Sequence, residues 1–288
     1  ISTARLVAVG DSGSIFSGNY NYTSVNPPGV TAWTQAASPS IPAGFASDVT
    51  SVIYTGQFVA LGADGSVLRS GDSITWTSTS ATPPAPSIAA NGARMNGIAL
   101  GVSAGALVYV AVGAAGNIFT STDNLVTWTP VTPPPTPNDL FSVSYVVATG
   151  TFIATGANGT LLTSTDALNW ALPNSIPAMP NALRGAAFGI GTISAGPFYV
   201  VVGDAGTILT SSTGADWTAV APPLTQDLLG VVFGARFVAV GRGGNVAYSD
   251  DGLTWSLSSA GLDDLTAVAR APAMYIAVGA AGANVVSK

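Results

Sequence analysis

The sequence has no histidine, no cysteine and no glutamate, and its one lysine is Lys288. Each absence removes a class of chemistry. Without His there is no imidazole general base, no Ser-His-Asp triad and no His metal ligand. Without Cys there is no disulfide, no thiolate nucleophile and no Cys-bound zinc. Charge is scarce: charged residues are 8% of the 288, against about 25% in an average domain. Hydrophobic residues make up 48%, so the scarcity does not signal disorder. A net charge of −6 argues against nucleic acid, which needs a basic face to displace counterions from phosphates, and against an anionic membrane surface. No apolar run approaches the roughly 20 residues of a membrane helix. Ile1-Ser2-Thr3-Ala4-Arg5 has neither the charged nor the apolar region of a signal peptide, so a mature chain or an excised domain is expected. No Asp-x-Asp-x-Asp loop offers a calcium site; neither metal nor cofactor is expected.

The residues that are present form a repeat. Seven times an apolar strand ends in Gly with a second Gly three residues on, as in Val7-Ala8-Val9-Gly10…Gly13, Val110-Ala111-Val112-Gly113…Gly116 and Val238-Ala239-Val240-Gly241…Gly244. Successive copies stand 38 to 52 residues apart, the period of propeller blades. A short strand follows the second Gly, then a Ser-x-Asp turn, then Trp. The turn aspartates are Asp72, Asp123, Asp166 and Asp251; the tryptophans are Trp76, Trp128, Trp170, Trp217 and Trp255, with Trp33 set off by an insert in the first unit. The copy before Trp217 has lost its Asp. From the second copy on, a further strand precedes the apolar-Gly strand. The unit is therefore four short strands, A-B-C-D, and no window carries an amphipathic-helix pattern. The expected architecture is an all-β propeller, a single domain over 1–288, with blades near 1–36, 50–79, 95–131, 140–172, 183–220, 228–258 and 265–288. Seven blades are the first choice and six the second. The first unit lacks strand A and the last lacks strand D, which leaves an edge where strand addition is conceivable.

Ser249-Asp250-Asp251-Gly252-Leu253-Thr254-Trp255 resembles the Asp-box, or BNR, repeat of sialidases, sortilin-type receptors and bacterial proteins similar to photosystem stability/assembly factors. The Val-Ala-Val-Gly-x-x-Gly lead-in is most similar to the last group. The resemblance spans the chain and implies a propeller; it assigns no function, because a fold hosts many. In sialidases of this likeness three Arg clamp a carboxylate and a Tyr nucleophile pairs with Glu. With no Glu here, that chemistry is not expected.

The recurring aspartates are expected to fix turns by accepting backbone N–H groups, and the tryptophans to pack between blades. The glycines of each Gly-x-x-Gly are expected to supply positive φ; no helix follows them and no Lys serves them, so they are not phosphate loops. Asp48, Asp139, Asp227, Asp263 and Asp264 lie in D-to-A connectors, where a pair of carboxylates would serve a glycoside hydrolase. The connectors and the B–C turns are expected on one face. The early connectors are long and Pro-rich, a form suited to recognition. Candidate ligand-binding residues are Tyr20, Tyr22 and Trp33 around an Asn19-Tyr20-Asn21-Tyr22 tip, together with Asp48, Arg94, Asp139 and Arg184. The reading is a non-enzymatic, exported binding or adhesion module at the cell surface or outside the cell, with the periplasm as an alternative, taking a glycan or protein through its long loops. The alternatives are a structural subunit of a bacterial or phage surface assembly, self-associating through blade edges, and an Asp-dependent hydrolase.

Overall fold

The structure, a computed structural model, describes residues 3–21, 30–36, 47–78, 93–190, 197–259, 261, 263–271, 274–282 and 284–287. These residues form seven antiparallel sheets, each a meander in chain order. The first holds β1 (Thr3–Val9), β2 (Ile15–Asn21) and β3 (Val30–Gln35). The second holds β4 (Val49–Tyr54), β5 (Phe58–Gly62), β6 (Val67–Ser70) and β7 (Thr77–Ser78). The third holds β8 (Met95–Ser103), β9 (Ala106–Gly113), β10 (Ile118–Ser121) and β11 (Thr129–Pro130). The fourth holds β12 (Leu140–Val146), β13 (Thr151–Gly156) and β14 (Leu161–Ser164); a single bridge from Thr163 to Ala171 stands where its fourth strand would run. The fifth holds β15 (Leu183–Ile190), β16 (Pro197–Gly203), β17 (Ile208–Ser211) and β18 (Thr218–Ala219). The sixth holds β19 (Leu228–Phe233), β20 (Phe237–Gly241), β21 (Asn245–Ser249) and β22 (Ser256–Ser259). The seventh holds β23 (Leu265–Ala271), β24 (Met274–Gly279) and β25 (Asn284–Ser287).

The chain divides into two compact units, Ile1–Leu140 and Phe141–Lys288. Within each, the β-branched second strand of a sheet is buried on both faces, as Val200, Val201 and Val202 are at 0% exposure. Side chains of consecutive sheets meet there: Val59, Leu61 and Val67 with Met95, Ile98 and Trp128 in the first unit, and Val200, Val202 and Ile208 with Leu228, Phe237 and Ala247 in the second. That alternation of inward faces makes the core. Five first strands carry a one-residue register shift near their start, between Val49 and Ser51, Met95 and Gly97, Leu183 and Gly185, Leu228 and Gly230, and Leu265 and Ala267. A bulge there re-aims the skipped residue, and in the fifth sheet that residue is Arg184.

Two expectations need correction. Asn19, Tyr20 and Asn21 are not a loop tip. They continue β2, where Tyr20 pairs with Ala4 on one side and Val30 on the other, because the insert of the first unit is partly spent on lengthening the hairpin. The glycines also divide their labour. The second Gly does take positive φ, as Gly206 does at 71°. The first is extended, Gly203 lying at φ −166°. It is needed for close approach, since a Cβ on Gly203 would sit 2.1 Å from the Ala182 carbonyl oxygen.

Candidate functional site

Four of the predicted binding residues, Asp48, Arg94, Asp139 and Arg184, lie at the Gly-x-x-Gly turns, where each has a partner within the protein. In the first unit Asp48 accepts the Ser12 amide at 2.9 Å and pairs with Arg94 at 3.1 Å, and Asp139 accepts the Ala115 amide at 2.8 Å. In the second unit Asp227 accepts the Ala205 amide at 2.9 Å and Asp264 accepts that of Gly243 at 2.8 Å. All four aspartates immediately precede a first strand, and all four grip the turn of the sheet before. Ser12, Ala115, Ala205 and Gly243 are left-handed, with φ between 53° and 66°, as is the glycine after each. Within each unit the connector carboxylate thus clamps consecutive sheets. The Ser12 amide first, then Arg94, holds Asp48 below the usual carboxylate range; the Ala205 amide, then Arg242, does the same for Asp227. Arg242 bridges Asp227 at 2.8 Å and Asp264 at 3.0 Å. Arg184, thrown outward by its bulge, forks onto Asp204 through Nε at 2.7 Å and Nη2 at 2.8 Å, and its guanidinium lies 4.5 Å from the Phe141 ring centre.

The Ser-x-Asp aspartates are turn devices. Asp72 accepts Ser70 Oγ at 2.9 Å and the amides of Ile74 and Thr75 at 2.8 and 2.7 Å; Asp166 and Asp251 repeat the pattern. Asp123 holds Ser121, Val126 and Thr127. The amides of Thr75 and Ile74 hold Asp72 at about 2, the Thr127 hydroxyl and amide hold Asp123 at about 2, and the Asn169 side-chain and backbone N–H groups hold Asp166 at about 2. Where Asp is missing, Thr213 Oγ1 takes its place, accepting the Ala215 amide at 3.1 Å. The tryptophans close the same turns, with Trp170, Trp217 and Trp255 donating Nε1 to the carbonyl three residues back. Trp76, Trp128 and Trp217 are buried; Trp33, Trp170 and Trp255 are half-buried. Tyr22 lies outside the described residues, as do the side chain of Tyr20 and the Pro-rich stretches 37–46 and 79–92.

None of the predicted ligand residues lines a concavity in the second unit. It measures about 620 Å³ and opens beside the hairpins that join first and second strands. Its walls come from three successive first strands and their ends: Tyr145, Val146 and Val147 on β12, Phe188 and Gly189 on β15, and Val232 and Phe233 on β19. No carboxylate, guanidinium or amide side chain is among the lining residues. Tyr145, Phe188 and Phe233 hold one register position in their strands, and each ring rests on the second-strand ring beside it: Tyr145 on Phe152 at 4.6 Å, Phe188 on Tyr199 at 4.7 Å and Phe233 on Phe237 at 4.7 Å between centres. Gly189 is what lets the sheets close here, because a Cβ on it would fall 2.2 Å from the Phe233 ring. Val147 is 83% exposed at the rim. The signal for these residues was present in the sequence as a recurring ring at the sixth position of the first strand. It reads as core patterning until exposure is known.

A smaller hollow of about 500 Å³ in the first unit is lined by Gln57, Arg69, Ser70, Asp72, Thr75 and Thr77. Arg69 Nε and Nη2 are buried there without a hydrogen-bond partner among the described residues. Among the described residues no cluster of three or more Asp, Glu, His or Cys is disposed to hold a metal.

No family model matches the chain, and no curated protein matches it. Solved structures do. YCF48 bound to a D1 peptide is similar over 84% of this chain and 78% of that one, with 19% identity and a TM-score of 0.59. The computationally designed Ika8 protein is similar over 99% of this chain and 81% of that one, with 13% identity and a TM-score of 0.63. YCF48 from Cyanidioschyzon merolae is similar over 89% and 85%, with 14% identity and a TM-score of 0.58. These likenesses concern the fold: the chain is an all-β propeller built from repeated four-stranded meanders.

Proposed function

We propose that this propeller is a non-enzymatic protein-binding module that takes a segment of a partner during, or as part of, an assembly. The observation that carries the reading is the neutral, apolar concavity over β12, β15 and β19. A hydrophobic pocket of several hundred Å³ built on rigid strands is suited to binding, and its described lining carries no carboxylate or guanidinium. Four of the five connector aspartates, Asp48, Asp139, Asp227 and Asp264, are engaged as acceptors of backbone amides, which speaks against a two-carboxylate hydrolase. A peptide held by a similarly folded protein, YCF48, supports a peptide as ligand class. The early resemblance to photosystem stability/assembly factor-like repeats points the same way. The scarcity of Lys and the abundance of Gly suit an extracellular or cell-surface setting.

Selection of a random peptide library on the immobilised chain, run beside a glycan array, tests the reading. Enrichment of peptides that bind the free protein in solution is the expected result. Glycan binding with no peptide enrichment would overturn it. A second reading, self-association, rests on β25, which has no partner on its outer side among the described residues; light scattering over a concentration series decides it.

A further inference from the structure

The ring series of the second unit does not end in a ring. At the register position held by Tyr145 on β12, Phe188 on β15 and Phe233 on β19, the strand β23 carries Arg270. The ladders establish the equivalence. Phe233 pairs with Phe237 and Arg270 with Tyr275, each opposite the same second-strand position. Arg270 is exposed. The unit's other guanidiniums, Arg184, Arg236 and Arg242, each have an aspartate within 3.0 Å. The Arg270 guanidinium has neither an ion pair nor a hydrogen bond among the described residues. The strand that bears it packs on β19, where Gly230 lies against the backbone of Ala267 and Val268. A neutral apolar floor therefore continues into one uncompensated positive charge on the next sheet.

We propose that this surface recognises an extended, predominantly apolar peptide segment bearing one acidic side chain. The apolar side chains of that segment lie on Tyr145, Phe188 and Phe233, and its carboxylate pairs with Arg270. The proposal rests on the protein-binding reading above and adds the chemistry of the segment. Arg prefers carboxylates because its planar fork donates two parallel hydrogen bonds. A floor without charged groups would leave any second charge on the peptide unpaired, which selects for one acid in an apolar context.

The test uses the full 288-residue chain and a synthetic array of peptides about ten residues long, alternating Leu or Val with Ser, with one Glu, Gln or Lys placed at each position in turn. Affinities are read by fluorescence anisotropy. For the best register, the Glu peptide is expected to bind about tenfold more tightly than its Gln counterpart. Arg270→Gln should abolish that preference, and Arg270→Glu should transfer it to the Lys peptide. Val147→Asp, at an exposed position where folding is not at stake, should weaken Glu and Gln peptides alike. Peptides that bind wild type and all three variants with one affinity would overturn the inference and leave the protein-binding reading standing with its site elsewhere. Binding abolished by Val147→Asp but indifferent to Arg270 would overturn the acidic requirement. If no array peptide binds, the inference fails; the library selection then decides separately whether the broader reading fails with it.

Discussion

Replacing Asp227 tests whether connector carboxylates, rather than hydrophobic contact alone, fasten one sheet to the next. Its Oδ1 accepts the Ala205 amide at 2.9 Å, its Oδ2 accepts Arg242 Nε at 2.8 Å, and its side chain is 29% exposed. A hydrogen bond to a charged acceptor contributes about 1.5–3 kcal/mol when fully formed, and an exposed ion pair about 0–1 kcal/mol. Water reaches part of this site and replaces part of both, so Asp227→Ala should cost about 1–2 kcal/mol. Asp227→Asn keeps an acceptor for the amide and loses the charge, so it should cost about 0.5 kcal/mol. Urea denaturation followed by tryptophan fluorescence measures both. The sign with pH follows from the direction of the shift. The Ala205 amide and Arg242 hold the folded carboxylate below its unfolded value. The wild-type advantage is therefore full above the unfolded value and fades as pH falls through the folded one. An Ala variant as stable as wild type, or an Asn variant as unstable as the Ala variant, would refute the clamp.

Ala205 is exposed and left-handed, at φ 55°; Ala205→Gly should stabilise by about 0.5–1 kcal/mol in the same urea assay. Gly203→Ala two residues earlier should do the opposite, by about 1–3 kcal/mol, because its new Cβ meets a backbone carbonyl that cannot rotate away. The Tyr275 hydroxyl accepts the Ala235 and Arg236 amides at 2.8 and 3.0 Å and donates to the Arg236 carbonyl at 3.0 Å; Tyr275→Phe should cost about 1–3 kcal/mol, with faster hydrogen exchange at those two amides. With no His, Cys or Glu, stability should be flat from about pH 5 to about pH 9. It should fall in acid as Asp72, Asp123 and Asp166, each at about 2, lose their charge; a midpoint of loss near neutrality would contradict this.

The repeat, the strand order within it and the turn role of the Ser-x-Asp aspartates were legible because each is a local pattern with a local cause. A period near that of a blade, an apolar run closed by Gly, and an acceptor two residues before the amides it binds can all be read along one strand or turn. The clamp was not legible. Asp48, Asp139, Asp227 and Asp264 stood out in the sequence as candidates for ligand binding or hydrolysis, and their partners are amides 21 to 36 residues earlier, on another sheet. The partner of Arg184 was illegible for a similar reason: its Asp204 lies on the following turn, 20 residues on. The concavity was missed for the converse reason. Its rings obey the same periodicity as buried rings, and only the third dimension separates a ring that packs from one that also faces out.

A longer period lies beneath the blade repeat, and it explains why the concavity has a firm rim. The second-strand ring alternates from sheet to sheet: Phe58, Tyr109, Phe152, Tyr199, Phe237, Tyr275. Each tyrosine reaches back to the first hairpin of the preceding sheet. Tyr109 lies 3.4 Å from Thr55 Oγ1, Tyr199 donates to Thr149 Oγ1 at 2.9 Å, and Tyr275 binds Ala235 and Arg236. A phenylalanine at these places would leave hairpin groups without that partner; a tyrosine at the Phe positions would bring a hydroxyl into contacts that are apolar, with Phe237 at 0% exposure and Phe152 equally buried. The structural repeat is thus a pair of sheets, one supplying a hairpin and the next a hydroxyl that ties it down. In the second unit two such ties fall on the turns at Thr149 and at Ala235–Arg236, beside Val147 and Phe233. A binding surface whose loops are already held loses less conformational freedom on capturing a ligand. The tyrosines that look like core residues are what lets three half-buried rings act as a surface of fixed shape.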